Sequence, residues 1–378
     1  MLFIGNSYTY YNNLPEVFAQ LASAGGQGPA EIRMVAPGGA TLGDHWQKND
    51  ALLALRGGRW THVVLQDQST LGVSYLLDGK PRVSTDEVFQ PWAARWAAEA
   101  AKAGTTALFY LTWARRDSPD DQAALNHAYM RAAREARAAV APVGLAWARV
   151  REQQPSLALF DDDGSHPSPA GTYLAACVFY ASIFDLDPSG LPGTVRGVPV
   201  DQKTAKPEPD KTAVLVDLPP EQARALQGAA WATTQELKRA GGYLDAPPVP
   251  APSPAPLPPG APLAGVRLEG PWRGELRFSP TGPAQMALQL SRQGDAWKGH
   301  LELRFGSPKV RDESFDLGDL RVGERELTFS DPKGPEGLVV RFRGASTRAD
   351  ELCGMADATM TAETPPGRRL GSWCLHRP

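Results

Sequence analysis

The sequence predicts two domains of different fold class: an α/β domain, built as a three-layer α/β/α sandwich with a mainly parallel sheet, and then a smaller antiparallel all-β domain. Three observations support this prediction. Over residues 1–245, short apolar runs alternate with helical patterns. Residues 246–263 form a proline-rich break. Over residues 264–378, apolar and polar side chains alternate with period two.

Five short apolar runs predict the strands of the first domain. They are Leu2–Ile4, Ile32–Val35, His62–Gln66, Ala107–Thr112 and Val143–Trp147. Helical patterns separate these runs, so the strands are expected in βαβ units. Such units place the strands parallel and cover both faces of the sheet with helices.

The helices of this domain begin at recognisable signals. Asn13 is followed three residues later by Glu16, which is the spacing of a capping box. Ser168 and Pro169 suit the N-cap and the first turn of another helix. Three more helices are predicted: one after Thr85, one from about Asp120 to Val140, and one from Pro219-Pro220-Glu221 to about Lys238.

The proline-rich break predicts a linker. Nine of the sixteen residues from Pro247 to Pro262 are proline. Proline fixes φ and lacks an N–H, so an extended polyproline II spacer is expected. Beyond it, Trp297, Leu301, Leu303 and Phe305 interleave with Lys298, His300, Glu302 and Arg304, and turn signals such as Lys333-Gly334 separate the runs. This pattern is typical of an antiparallel sandwich or small barrel.

Composition excludes several classes of protein. The formal net charge is −3 and neither sign forms a long run, so neither a nucleic-acid footprint nor a polybasic membrane patch is indicated. No apolar run reaches the length of a transmembrane segment. Three cysteines are too few for a disulfide framework. Cys177 is expected in the core, whereas Cys353 and Cys374 are either bonded to each other or free.

The start of the sequence leaves the compartment open. Met1 lies almost inside the first predicted strand, and no signal peptide precedes it. Either the protein is cytoplasmic, or it is exported and its leader lies upstream of the first residue given. The oligomeric state is equally open.

Polar residues and glycines follow the predicted strands. Ser7 follows the first strand and Gly38-Gly39 the second. Gln66 and Gln68 follow the third, and Trp113 the fourth. Asp163 and His166 lie in the loop after the fifth. In open parallel sheets, ligands bind beyond the carboxyl ends of the strands, so these residues are expected around one site.

These residue types suit nucleophilic catalysis. The Ser7 hydroxyl needs a base, and His166 is the available one. Asp163 can orient the imidazole and stabilise its charged form. The N–H groups of Ser7 and Gly39 and a glutamine amide can stabilise an oxyanion.

Four blocks resemble those of the SGNH (GDSL-like) hydrolase superfamily. In chain order they are FIGNSYT, GGATL, VVLQDQS and DDDGSHPSPAG, and the resemblance covers about residues 1–240. It implies Ser7 as nucleophile, His166 as general base, Asp163 as its orienting partner and Gly39 as an oxyanion donor.

The chain departs from the family pattern at two places. Asn6 replaces the usual aspartate before the serine. Gln66-Asp67-Gln68 stands where the family has G-x-N-D, whose asparagine is an oxyanion donor. Position relative to the strand end favours Gln68 as the donor, whereas similarity to the QGES block of sialate O-acetylesterase-like members favours Gln66.

The resemblance implies a serine esterase, with acetyl esters on carbohydrate as the expected substrate. Two alternatives are a lipase or thioesterase acting on longer acyl chains and a non-catalytic polysaccharide-binding protein. Weaker candidates for substrate contact are Tyr8, Trp46 and Trp113. No cofactor is implied, and no metal site is expected, because no convergent histidine or cysteine spacing supports one at the aspartates 161–163.

Overall fold

The computed structural model describes residues 1–28, 31–253, 262–279, 282–308, 310–332, 338–360 and 367–378, without the side chains of 338 and 339. Its contacts divide the chain into two units. Unit 1 comprises Met1–Gly72 and Thr85–Pro250, and unit 2 comprises Val73–Ser84 and Ala251–Pro378. Part of the predicted linker, residues 254–261, and the predicted turn at Lys333-Gly334 lie outside the described residues.

The strands are numbered along the chain. They are β1 (Leu2–Ile4), β2 (Arg33–Val35), β3 (His62–Leu65), β4 (Tyr75–Leu77), β5 (Lys80–Pro81), β6 (Thr106–Tyr110), β7 (Ala139–Ala141), β8 (Thr194–Gly197), β9 (Val200–Asp201), β10 (Lys206–Pro207), β11 (Ala213–Asp217), β12 (Gly270–Ser279), β13 (Gly282–Gln293), β14 (Ala296–Arg304), β15 (Glu313–Asp316), β16 (Gly318–Val322), β17 (Leu327–Ser330), β18 (Leu338–Arg348), β19 (Glu351–Met360) and β20 (Gly367–His376).

The helices are α1 (Ser7–Tyr10), α2 (Leu14–Ala24), α3 (Leu42–Lys48), α4 (Asp50–Gly57), α5 (Phe89–Lys102), α6 (Asp121–Ala136), α7 (Val143–Gln153), α8 (Pro169–Phe184) and α9 (Pro220–Arg239). Short 3₁₀ turns occupy Tyr11–Asn13 and Leu263–Gly265. Within the described ranges, no helix has both the length and the apolar character needed to cross a bilayer.

A five-stranded parallel sheet forms the centre of unit 1. Its strand order is β2-β1-β3-β6-β7. Side chains alternate between its two faces, so Phe3 packs against Phe179 of α8, while Phe109 packs against Phe89 of α5. The predicted α/β class with a parallel sheet between helices is thereby confirmed.

The prediction of the fifth strand is wrong. Val143–Trp147 belongs to α7, and the strand beside β6 is Ala139–Ala141. Val143, Ala146, Trp147 and Val150 are buried at helical spacing, so this short apolar run had the period of a helix. The preceding helix ends at Ala136, before the predicted Val140, because Arg137 adopts a left-handed conformation with φ 53°.

Capping predictions had mixed outcomes. Ser168 accepts a hydrogen bond from Gly171 N at 3.1 Å and caps α8, as predicted. Asn13 precedes α2 but makes no cap, because its φ is 50° and its amide donates to Val198 O at 2.7 Å instead.

Unit 2 is built on one large sheet with the path β15-β14-β13-β12-β20-β19-β18-β17-β16, antiparallel at each step that the described residues pair. The sheet curls so that β14 and β16 come into contact. Trp272, Leu288, Phe342 and Trp373 share the core that this curling encloses. The predicted second, antiparallel β domain is confirmed.

Cys353 and Cys374 form a disulfide within this sheet. They face each other across β19 and β20, with Cα atoms 4.1 Å apart. Cys177 is a free, buried thiol in unit 1, in line with the core position expected for it.

Residues 73–84 depart from the predicted domain boundaries, which placed them in the first domain. Tyr75–Leu77 (β4) pairs in parallel with β20, and Asp78 accepts hydrogen bonds from the Ser372 backbone and hydroxyl at 2.7 Å each. The connection between β3 and α5 therefore contributes a strand to unit 2. Local sequence could not predict this, because the partner strand lies almost 300 residues away.

Candidate active site

Ser7 lies at the carboxyl end of a central strand. β1 runs between β2 and β3, and α1 begins at Ser7, three residues after Ile4. The Asn6 side chain accepts a hydrogen bond from Tyr8 N at 3.1 Å and so caps this short helix. The sharp turn leaves the Ser7 side chain partly exposed at the edge of the sheet.

Ser7, His166 and Asp163 form a hydrogen-bonded chain. His166 Nε2 lies 2.9 Å from Ser7 Oγ, and His166 Nδ1 bonds to Asp163 Oδ2. An ionised carboxylate can only accept, so Nδ1 carries the proton and Nε2 is free to accept from the serine hydroxyl. The three residues are thus arranged for proton transfer from serine to histidine.

The Asp163 carboxylate is held in its ionised form. Its burial alone would raise its pKa, but the hydrogen bond from His166 and those from Ser165 N and His166 N lower the pKa below the usual value. Asp163 Oδ1 accepts these two backbone bonds at 2.8 and 2.9 Å. The loop therefore fixes both the charge and the direction of the carboxylate.

The loop that carries Asp163 and His166 follows α7, whereas the sequence had predicted a strand before it. Phe160 and Pro167 form an isolated bridge, and Asp161 N donates to His166 O at 2.9 Å. These two contacts join the ends of the loop beside the histidine, and α8 begins directly after it.

Three bonds hold this loop in place, two of them to the segment after the serine. Tyr8 OH lies 2.8 Å from Ser165 Oγ. Trp113 Nε1 donates to Ser165 O at 3.0 Å. Asn12, at a φ of 51°, donates to Pro167 O at 3.0 Å. The sequence interpretation missed Ser165 and Asn12, and the one available signal was the Asn12-Asn13 pair, a residue type that tolerates positive φ.

Aromatic rings surround the histidine. The half-buried Tyr11 ring stacks on His166 with centroids 4.0 Å apart. Beneath it, Trp113 is stacked between Tyr8 and Trp147 at 4.6 and 3.9 Å. Trp113 and Tyr8 are only 1% and 3% exposed, so neither presents a ring face to solvent as the sequence had suggested. They support the site from within.

Trp46, the third residue suggested for substrate contact, packs against other tryptophans. Its ring lies 5.4 Å from that of Trp96 and 6.4 Å from that of Trp92. It is partly buried on α3. The structure therefore gives Trp46 a packing partner on α5.

Gln66 is a buried structural residue. Its Oε1 accepts from Asn6 N and Thr9 Oγ1, each at 2.9 Å. Its Nε2 donates to Asn6 Oδ1 at 2.9 Å and also to Asp67 O. Both amide hydrogens are used, so Gln66 has none left for a ligand.

Gln68 is bound differently. Its Oε1 accepts from Thr70 N at 2.6 Å and Thr70 Oγ1 at 2.7 Å, which fixes the amide plane. Its Nε2 makes one long bond of 3.3 Å to Ser69 Oγ. Ser69 in turn interacts with the Tyr8 hydroxyl. One Nε2 hydrogen is left without an acceptor among the residues described.

Two backbone N–H groups near the serine are also unengaged. Within the described ranges, neither Ser7 N–H nor Gly39 N–H has an acceptor. Gly39 has a φ of +70°, and a Cβ built on it would meet no atom within 4 Å. The glycine turn is tied to the serine segment through Asn6 Nδ2, which donates to Ala40 O at 2.9 Å.

Asp67 is a buried acid behind this arrangement. Its carboxylate accepts from Gln68 N at 2.6 Å and from Leu42 N at 3.2 Å. Burial raises its pKa to about 7 against the lowering effect of these two bonds. Asp67 thereby links the loop that carries Gln68 to the start of α3.

The described residues hold no cluster of histidine, cysteine, aspartate or glutamate side chains with the geometry of a metal site.

Comparison with solved structures found several to which this chain is similar over part of its length. A DUF4886 family protein from Bacteroides uniformis is 16% identical over 65% of this chain and 96% of its own, with a TM-score of 0.43. TesA is 17% identical over 48% and 96%, with a TM-score of 0.38. An acetyl-xylooligosaccharide esterase from Geobacillus, in a mutant form, is 16% identical over 48% and 92%, with a TM-score of 0.37.

No family model matches the chain, and none of the curated proteins does. The solved structures similar to it also include a GDSL-like lipase from Parabacteroides merdae.

Proposed function

We propose that this protein is a serine esterase in which Ser7 is the nucleophile. The observation that carries the proposal is the 2.9 Å contact between Ser7 Oγ and His166 Nε2, with Asp163 bonded to the opposite ring nitrogen. A hydroxyl becomes a useful nucleophile only when a base of this kind can take its proton.

In the acylation step, Ser7 Oγ attacks the ester carbonyl carbon and its proton passes to His166 Nε2. Asp163 stabilises the resulting imidazolium. The tetrahedral intermediate then collapses, the C–O bond to the alcohol breaks, and His166 returns its proton to the leaving oxygen. An acyl-Ser7 ester and a free alcohol result.

The oxyanion donors in this proposal are Ser7 N–H, Gly39 N–H and Gln68 Nε2. Each has a hydrogen without an acceptor in the described part of the chain, which is what a preorganised oxyanion hole requires. Gln66 is assigned a structural role instead, because Asn6 and Asp67 take both of its amide hydrogens.

Deacylation repeats these steps with water. His166 takes a proton from water as it attacks the acyl carbon, and the tetrahedral intermediate is held by the same donors. Collapse returns the proton to Ser7 Oγ and releases the carboxylic acid, which ionises at neutral pH.

Acetyl groups on carbohydrate are the substrate class we assign. The ring next to the triad is Tyr11, and the segment also carries Asn12, so the surroundings are polar and aromatic. The exposed large apolar side chains of the described residues are Leu53, Leu186, Val214 and Val249, none of them in the segments of the triad. Among the described residues, none of these exposed apolar side chains is placed to support a long acyl chain at the triad segments.

The test compares hydrolysis of p-nitrophenyl acetate and p-nitrophenyl octanoate by the parent, Ser7→Ala and Ser156→Ala. Ser156 is exposed in the same unit and serves as the matched control. We expect Ser7→Ala to lose the catalysed rate by several orders of magnitude, Ser156→Ala to match the parent, and acetate to be preferred. Release of acetate from acetylated xylan then tests the carbohydrate assignment.

A serine-directed organophosphonate probe gives an independent readout of the nucleophile. We expect covalent labelling of the parent at Ser7 and none of Ser7→Ala. If the parent neither hydrolyses these esters nor takes the label, the esterase proposal fails, and a binding role on the same fold takes its place.

A further inference from the structure

The outer face of the sheet in unit 2 carries a groove of about 980 Å³. Its floor is the outward side of β16 to β20. Residues Ala251–Ser253 border it, and the Tyr75 hydroxyl is hydrogen-bonded to Pro252 O. All of the residues that line it belong to unit 2.

Arginines dominate the charge of this groove. Its lining contains Arg321, Arg341, Arg343 and Arg368 but only two carboxylates, Asp319 and Asp357. The whole chain carries a net charge of −3, so the charge of this surface is opposite in sign to that of the chain. A local excess of one sign in a concave surface attracts ligands of the opposite sign.

Two of the arginines are already paired. Arg368 makes a two-point contact with Asp357 at 2.7 and 3.1 Å, and Arg343 bonds to Glu326 at 2.8 Å. Arg321 and Arg341 are exposed, and neither side chain makes a hydrogen bond or ion pair with any residue that the structure describes. Their guanidinium groups remain available to a ligand.

Strand register sets these groups in rows. Arg321 lies opposite Thr328, which lies opposite Arg343, so the two arginines are two strands, about 10 Å, apart. In the next row, Arg341 lies between Ser330 and Asp357. Cations and hydroxyls thus repeat across the sheet, a pattern suited to an extended ligand with repeated charges.

The chemistry favours carboxylates on a sugar chain. The planar guanidinium pairs with a carboxylate through two parallel hydrogen bonds. The aromatic residues of the lining, Tyr75, Phe329 and Phe342, are 5%, 2% and 2% exposed. They therefore offer no ring platform on which a neutral sugar or a nucleic-acid base could stack.

We infer that this groove of unit 2 binds an acidic polysaccharide, with Arg321 and Arg341 as its main carboxylate contacts. The inference concerns binding alone and does not require Ser7 to be catalytic. It extends the proposed function by giving the second unit a ligand of its own.

The experiment measures retardation of the full-length Ser7→Ala protein in native gels that contain polygalacturonate, its fully methyl-esterified form, neutral xylan or single-stranded DNA. The groove variant is Arg321→Gln/Arg341→Gln. The control is Arg292→Gln/Arg304→Gln, which removes the same charge from β13 and β14, outside the groove. Both control side chains are exposed, at 52% and 72%.

We expect binding to polygalacturonate only, weakened by roughly tenfold or more in the groove variant, unchanged in the control, and reduced by salt. Equal weakening in both double variants would reduce the effect to net charge and overturn the inference. So would absence of retardation by polygalacturonate, or tighter binding to single-stranded DNA. Because binding is measured without a working Ser7, its failure is distinct from failure of the esterase proposal.

Discussion

The hydroxyl of Tyr8 lies 2.8 Å from Ser165 Oγ, which bonds the residue after Ser7 to the residue before His166. Ser165 also accepts from Trp113 Nε1 through its carbonyl and donates its N–H to Asp163. Burial raises the pKa of Tyr8, so its hydroxyl stays protonated and available as a donor at neutral pH. One side-chain contact thus spans 157 residues and sets the approach of histidine to serine.

Tyr8→Phe tests this contact. Phenylalanine keeps the ring stack on Trp113 but removes the hydroxyl, so the free energy of unfolding should fall by about 1 kcal/mol. We expect kcat to fall roughly tenfold with little change in KM, because a small displacement of the base impairs reaction more than binding. Steady-state kinetics with p-nitrophenyl acetate and urea unfolding measure both effects.

Tyr243→Phe is the control for Tyr8→Phe. Tyr243 OH donates to Ala138 O at 3.0 Å, in a part of unit 1 that holds none of the proposed site residues. A similar loss of stability with normal kcat is expected. Equal kcat in the two variants would show that the Tyr8 hydroxyl does not position the base.

Asp163→Asn removes the charge that orients His166. The amide can still occupy the same space, but it cannot stabilise an imidazolium or hold the imidazole in the required tautomer. We expect kcat to fall by on the order of 10³ to 10⁴ with the fold retained. Near-UV circular dichroism checks the fold, and a kcat within tenfold of the parent would contradict the assigned role.

The lowered pKa of Asp163 also makes a prediction about stability. An acid whose folded pKa lies below its unfolded value stabilises the protein above the unfolded pKa, and this contribution is lost as the pH falls through the folded one. The parent should therefore lose more stability than Asp163→Asn between pH 5 and pH 2. Parallel urea titrations at the two pH values measure the difference.

The raised pKa of Asp67 predicts that stability depends on pH in the opposite direction. Its folded pKa is raised to about 7, so between the unfolded value of about 4 and pH 7 the folded state holds a proton that the unfolded state releases. Stability should decline as the pH rises from 4 to 7, and Asp67→Asn should reduce that decline. An unchanged difference between pH 4.5 and pH 7.5 in the variant would contradict the raised pKa.

Substitutions of Gln66 and Gln68 should have different effects, the first mainly on stability and the second mainly on activity. Gln66→Leu leaves buried groups of Asn6 and Thr9 without partners, so it should cost about 2 to 3 kcal/mol of unfolding free energy or more. Gln68→Ala removes a proposed oxyanion donor and should lower kcat by about 10² to 10³. Thermal unfolding and kinetics of both variants measure the split. The reverse pattern would return the oxyanion role to Gln66.

The disulfide in unit 2 can be tested by counting free thiols and by replacing its two cysteines. Thiol titration of the unfolded, unreduced protein should give one group per chain, Cys177, and three after reduction. Replacing both Cys353 and Cys374 by serine should lower the free energy of unfolding by about 3 kcal/mol. The bond closes a loop in the unfolded chain, and the loss of chain entropy in a loop of this length is of that order. Three thiols before reduction would contradict the bond.

Several features were predictable because they depend on local properties. Period-two alternation marks the strands of the second domain. Helix α8 begins where Ser168 and Pro169 predicted it. The prediction of a strand at Val143–Trp147 failed because a short apolar run does not distinguish a buried strand from a helix. Only its packing against the sheet decides which of the two forms.

The sequence by itself determined the residue types of the candidate site and their order along the chain, because a strand end followed by a serine, a glycine turn and a D-x-x-H loop are all local patterns. Tertiary structure decided which of them meet. Ser7 and His166 are 159 residues apart, and their 2.9 Å contact depends on bonds such as Tyr8 to Ser165 and Asn12 to Pro167. It also shows that both amide hydrogens of Gln66 are taken, which can be recognised only once the neighbours of this side chain are in place.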